Sequence, residues 1–237
     1  MNSIKKILLR ILRWIRNLFL TLFILSLFFV LLYKYVPVYY TPLMLTQSIE
    51  KKTLITHQWV PLSEISPNLT QAVVASEDNL FLIHSGFDFD QIELAQQETE
   101  KGRRLRGAST ISQQTAKNVF LLPARSYIRK GLEAYFTVLI ELVWGKERIM
   151  EVYLNSIEMG DGIFGAQAVA QAHFQTTADK LTVPEAALIA ASLPNPRVLN
   201  SAKPSAYMLK RQVNITSLMS KIMPIDFDNP PQKEKKK

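Results

Sequence analysis

Glu77 lies in the segment AVVASEDNLFLIHSGFDFD, an acid at the end of an apolar run. Apolar neighbours disfavour the charged form of a carboxylate and raise its pKa toward the range useful for proton transfer. At helical spacing Glu77, Phe81 and His84 fall at i, i+4 and i+7, so one helix face would present an acid, an aromatic ring and an imidazole. The ordinary alternative is a helix-end Glu paired with a nearby cation. Asp78 would point about 100° away on the same helix, which suits positioning or capping.

Residues 101–133, KGRRLRGASTISQQTAKNVFLLPARSYIRKGLE, hold eight Lys or Arg and no carboxylate before Glu133. Thr110-x-x-Gln113 has the pattern of a capping box and opens a helix carrying Lys117. Pro123 stops that helix and Ser126 caps the next. Arg125, Arg129 and Lys130 then stand at the positive end of the second helix, where anions are favoured and cations are not. Free N–H groups at two helix starts, with cations around them, suit a phosphate. A solvated basic face with Glu133 paired to Arg129 at i,i+4 accounts for the same residues.

Other chemistry is weakly signalled. His57, His84 and His173 are far apart and the chain has no Cys, so no metal cage is read; a divalent ion could still arrive with a phosphate, held by its oxygens. Gly160-x-Gly162-x-x-Gly165 matches a dinucleotide fingerprint but follows a helical run rather than a buried strand, and reads as a helix stop and a close loop. Ser3-x-x-Lys6 lies in the basic N-terminal tail and is a chance match.

The elements that must position these residues follow from charge and periodicity. The net charge is +8 over 237 residues. Lys5, Lys6, Arg10, Arg13 and Arg16 contribute five of these, and residues 233–237 contribute the remaining three net charges. The region between is neutral, its basic run offset by seven carboxylates in residues 77–100, which excludes a nucleic-acid-binding domain. Residues 17–33, NLFLTLFILSLFFVLLY, form an uncharged run near the lower limit of the about 17–25 residues that cross a bilayer. Five cations precede the run, placing the N-terminus in the cytoplasm and the following domain outside. Aromatic residues follow it in place of a small-x-small cleavage site, so an uncleaved anchor is expected. Ile4, Ile7, Leu8, Ile11, Leu12 and Ile15 would line one helix face, suited to the inner leaflet.

This divides the chain into a basic cytoplasmic tail (1–16), a transmembrane anchor (17–36), a membrane-proximal lead (37–58), one catalytic domain (59–224) and a basic C-terminal tail (225–237). The domain reads as all-α, with helices over 69–79, 110–121, 126–144, 146–155, 164–174, 184–191 and 205–223. Thr182-x-x-Glu185 opens the sixth. Residues 132–144 are too short to span a membrane and carry Glu133 and Glu141; nearly apolar all round, they are expected at the centre of the domain.

Taken together, SEDNLFLIHSGFD, RGASTISQQTAKN, RSYIRKGLEA, KERIMEVYLN and EAALIAASLPNP resemble, in order and spacing, glycosyltransferase family 51. Within it they are most similar to the monofunctional biosynthetic peptidoglycan transglycosylases of Gram-negative bacteria. The resemblance covers about residues 59–211. It implies a lysozyme-like helical domain on the outer face of the inner membrane. The implied reaction joins lipid II units, passing the growing glycan strand from its undecaprenyl diphosphate carrier to the 4-hydroxyl of the next lipid II with inversion. By resemblance Glu77 is the general base and Glu133 helps to hold the donor diphosphate. Lys117, Arg125 and Lys130 surround that diphosphate, Ser109, Thr110, Gln113 and Gln114 line the donor site, and Asp78 is the acidic neighbour of the base. The resemblance also implies a divalent cation (Mg or Mn) on the diphosphate, and cell-division or elongation proteins as partners. Where the family has a Gly-Lys-like pair after Ala172-His173-Phe174, this chain has Gln175-Thr176-Thr177. Arg103, Arg104 and Arg106 receive no role. A lysozyme-type glycan-cleaving enzyme, with Glu77 as general acid, and a non-enzymatic cell-wall scaffold are the other readings.

Overall fold

The computed structural model describes residues 2–51, 55–100, 109–124 and 126–231. The chain divides into two compact units, Met1–Val36 and Pro37–Lys237. In the first, the basic stretch and the apolar run form one continuous helix, α1 (Asn2–Tyr35). Its part Lys5–Tyr35 is long and apolar enough to cross a membrane.

The second unit is built from helices α2 (Pro42–Lys51), α3 (Pro67–Glu77), α4 (Phe89–Glu100), α5 (Ile111–Phe120), α6 (Tyr127–Val143), α7 (Lys146–Ser156), α8 (Ala166–Phe174), α9 (Val183–Ser192) and α10 (Ala206–Met219). Two of these, α2 and α4, occupy stretches for which no helix was expected. Within the lead segment Val38, Thr41, Met44 and Gln47 are buried.

Three short strands accompany the helices: β1 (Thr56–His57), β2 (Glu158–Gly160) and β3 (Ile163–Phe164). β3 lies in the middle, parallel to β1 and antiparallel to β2. Asn155 fastens the segment after β1 to α7. Its amide oxygen accepts the Val60 N–H at 3.0 Å and its amide nitrogen donates to the Val60 carbonyl at 2.9 Å, so the side chain pairs with the backbone as a strand would. Gly160, Gly162 and Gly165 lie on the β2–β3 hairpin and at the cap of α8, outside any βαβ unit.

The core lies among α3, α7, α8 and α9. Ala186, Ala187, Ala190 and Ala191 of α9 are fully buried; side chains this small let α3 and α10 approach closely. α5 packs against α6 and α7.

α6 departs from expectation. Its buried stripe is Glu133, Thr137, Ile140 and then Trp144, whereas Ile128 and Leu142 are each 78% exposed and Leu132 and Val138 are also exposed. The i, i+4, i+7 set that faces inward includes the acid, so the apolar residues point outward. An all-round apolar composition therefore does not put this helix at the centre.

Gly165 caps α8 at φ +86°, ψ 162°, a conformation that side-chain-bearing residues rarely adopt. A Cβ there would lie 2.7 Å from the Asn155 carbonyl oxygen. Gly165→Ala is expected to destabilise the domain by about 3 kcal/mol, read as a lower Tm in thermal unfolding with no change in the melting of α1.

Candidate active site

α3 starts at a Ser66 cap with Pro67 in its first turn and ends at Glu77; Asp78, with φ −162° and ψ 74°, has left the helical conformation. Glu77, Phe81 and His84 therefore do not share a helix face. Phe81 is fully buried, with the Lys146 ammonium 4.6 Å from its ring centroid, and His84 reaches Asp78 instead. Behind Phe81, Glu141 Oε1 accepts from Ser112 Oγ at 2.5 Å and Lys146 Nζ at 2.6 Å, tying α5, α6 and α7 together.

Asp78 is buried and both its oxygens are engaged. Oδ2 accepts the Ile111 N–H at 2.9 Å, in the first turn of α5, and Oδ1 accepts His84 Nε2 at 2.8 Å. His84 Nδ1 accepts the Gly86 N–H at 3.1 Å, so the ring proton sits on Nε2 and points at Asp78. Thr110 Oγ1 donates to the Gly86 carbonyl at 2.7 Å, and Gly86 adopts φ +88° with its Cα pressed toward Thr137.

Both halves of the capping box at α5 are made: the Gln113 N–H donates to Thr110 Oγ1 at 3.2 Å, and the Thr110 N–H donates to Gln113 Oε1 at 3.0 Å. Thr110 and Gln113 thus hold the start of α5. Gln114, one residue on, donates from Nε2 to Glu77 Oε2 at 3.1 Å and accepts from the Tyr153 hydroxyl on Oε1 at 3.3 Å. Tyr153 is fully buried. Burial, and then the Glu77 and Asp78 charges, push its phenol well above the usual range, so it remains a donor.

Burial raises the Glu77 pKa above the ordinary carboxylate range, and Asp78 adds to the rise. The Gln114 hydrogen bond, the Arg211 charge and the Lys117 charge act the other way. Glu77 borders a cavity of about 210 Å³ with Asp78, Asp88, exposed Ser109 and Thr110.

One turn beyond Gln114, Lys117 is half-buried. Its ammonium makes no hydrogen bond or ion pair among the described residues. Burial pulls its ammonium pKa down, Glu133 opposes this, Arg129 and Lys130 lower it further, and Glu77 raises it. Lys117 therefore senses both acids. Glu133 is buried and accepts from Lys130 Nζ on Oε1 and from Arg129 Nη1 on Oε2 at 3.5 Å. Ser126 caps α6 by accepting the Arg129 N–H at 3.1 Å, which sets Arg129 and Lys130 in its first turn.

A second cavity, of about 370 Å³, is lined by Lys117 and Arg129 and by Leu43, Leu121, Leu122 and Pro123. A larger one, of about 740 Å³, is bordered by Gln71, Met219 and Phe227 and touches none of the acids or cations above. Arg103, Arg104, Arg106 and Arg125 lie outside the described residues.

The site thus unites Glu77, Asp78, Gln114, Lys117, Glu133 and Lys130, with Thr110 and Gln113 holding the helix that joins them. Sequence reasoning missed Tyr153, Arg211 and Leu43. Tyr153 reads only as one apolar position of a buried helix face, and Arg211 as an ordinary cation on α10.

A family model described as Transglycosylase matches residues 45–220. A Biosynthetic peptidoglycan transglycosylase of Bacteroides thetaiotaomicron is 59% identical over 216 residues, covering 89% of this chain and 87% of that protein. Proteins of the same name from Bdellovibrio bacteriovorus and Caulobacter vibrioides are 50% identical over 217 residues and 51% identical over 207 residues. These cover 90% and 86% of this chain, and 87% and 90% of theirs. With a helical domain that places Glu77, Lys117 and Glu133 along one edge of α5, and a match spanning most of its length, the chain belongs to the transglycosylase family.

Proposed function

We propose that this protein is a membrane-anchored, inverting peptidoglycan glycosyltransferase that polymerises lipid II. The observation that carries this reading is the pairing of two unlike sites on one helix edge. On one side is a half-buried, elevated-pKa carboxylate facing a small polar cavity; on the other is an unpartnered lysine facing a cationic and apolar one.

Glu77, as general base, takes the proton from the 4-hydroxyl of the acceptor lipid II. The freed oxygen attacks the anomeric carbon of the donor strand from the face opposite the carrier. The bond to the diphosphate oxygen breaks, and the leaving diphosphate takes both electrons. Lys117, Lys130, Arg129 and, by resemblance, Arg125 stabilise the charge that accumulates there, and they do so more effectively in a partly buried cleft than in water. Glu133 holds Arg129 and Lys130 in place for that task. The relay from Tyr153 through Gln114 orients the Glu77 carboxylate.

No cluster of three or more acidic, His or Cys side chains that could cage a metal occurs among the described residues. The described residues therefore offer no cage for a resident divalent ion. A Mg or Mn ion would be carried by the diphosphate oxygens of the substrate.

The anchor and a lipid-linked substrate belong together. In this reading the N-terminus is cytoplasmic, the domain is periplasmic, and the exposed apolar face of α6 rests on the outer leaflet of the inner membrane.

Purified protein with lipid II and a divalent ion is expected to yield glycan strands on gel electrophoresis. Glu77→Gln should lower the rate by about 10³-fold or more with lipid II still bound. Lys117→Ala should lose activity together with donor affinity. Normal polymerisation by Glu77→Gln would refute the mechanism, and release of soluble fragments from finished wall would favour cleavage instead.

The pH profile has a definite sign. A base works only when ionised, so activity is present above the Glu77 pKa and lost as pH falls through it. Arg211→Gln removes one influence that holds this pKa down, so the acidic limb of kcat should move to higher pH.

A further inference from the structure

The cavity beside Lys117 has a wall that diphosphate binding does not explain. Leu43 comes from α2, the first helix of the domain, and faces Leu121, Leu122 and Pro123 across a space whose other side is Lys117 and Arg129. Asn118 is the one uncharged polar side chain among the described lining residues. Such a surface is amphiphilic: cations at one end and hydrocarbon at the other. A sugar would leave most of its hydroxyls without partners on this wall.

α2 is held firmly enough to serve as a wall. Thr41 Oγ1 accepts the Met44 N–H at 3.2 Å, and Met44 is fully buried. Gln47, also buried, donates to Glu158 Oε2 at 2.7 Å. Glu158 is fixed in turn by Arg197 Nε at 3.2 Å and the Gly162 N–H at 3.1 Å. With Met44 and Gln47 turned inward, Leu43 is set on the adjoining face, toward α5. Donor capacity is left over at the other end, although Arg129 Nη1 reaches Glu133. Lys117 has none among the described residues, and the Arg129 Nε is buried without one. Leu122 stands 68% exposed at the rim, and the outward apolar face of α6 begins shortly after it in the chain.

We propose that α2, through Leu43, forms one wall of a subsite for the first isoprene units of the donor's polyprenyl carrier, with Leu121, Leu122 and Pro123 opposite. The inference rests on the diphosphate reading above and adds to it a hydrocarbon end. The carrier's diphosphate meets Lys117 and Arg129, and its chain leaves over Leu122. The segment next to the anchor thereby becomes part of the donor site.

The test is calorimetric titration of the full chain in detergent with farnesyl diphosphate and with inorganic diphosphate. Wild type is expected to bind farnesyl diphosphate roughly tenfold or more tightly than inorganic diphosphate. Leu43→Asn should remove most of that ratio while leaving inorganic diphosphate affinity unchanged. Leu122→Asn, at an exposed position that does not threaten folding, should shrink it in the same direction. Lys117→Ala should weaken both ligands and keep the ratio. An unchanged ratio in both Asn variants, with Lys117→Ala weakened, overturns the α2 wall alone. Wild-type binding of both ligands by Lys117→Ala overturns the diphosphate reading beneath it. Displacement of farnesyl diphosphate by equimolar dioleoyl phosphatidic acid would assign the cavity to bilayer phospholipid and overturn the carrier proposal.

Discussion

The Asp78 carboxylate is the contact on which the rest of the site depends. One oxygen takes the Ile111 N–H at the start of α5 and the other takes the His84 proton. Three segments meet there: the end of α3, the turn through Gly86, and α5. An acid at a helix N-terminus satisfies an orphan backbone donor and favours the positive end of the dipole. Because Glu77 precedes Asp78 directly, fixing one fixes the backbone of the other. Because Gln114 and Lys117 lie on the helix that Asp78 starts, their distance from Glu77 is set by the same contact.

From that junction the two acids acquire different surroundings. Glu77 is half-buried with one amide donor, whereas Glu133 is buried with Arg129 and Lys130. Lys117 stands between them within electrostatic reach of both. Acids whose environments differ this strongly suit different tasks, one moving a proton and one ordering charge.

What was legible in the sequence was local. The capping box at Thr110 and Gln113, the Ser126 cap and the Pro123 stop involve residues a few positions apart, so chain neighbours decide them. The long apolar helix and the basic run are likewise matters of composition. α2 was hidden because what holds it, such as Glu158 against Gln47, is distant in the chain. Tyr153 gives no sign that its hydroxyl meets Gln114, since a buried aromatic on a helix usually only fills space. The face of α6 was misjudged because hydrophobicity was read as burial. There the buried acid decides which side faces in. The expected Glu77, Phe81, His84 face failed for a related reason: α3 stops at Glu77, and spacing has no helical meaning beyond that point.

Lys117 has one more consequence. A half-buried ammonium with no partner among the described residues is an electrostatic cost carried by the resting protein, and nothing in packing requires it. Replacing it by an apolar chain of similar length would relieve the cost and remove the charge that the proposed reaction uses at the diphosphate. Thermal resistance and turnover are thus opposed at this single side chain. A variant library sorted only for stability would discard it early, and under the proposed function the survivors would be well-folded proteins that no longer build anything.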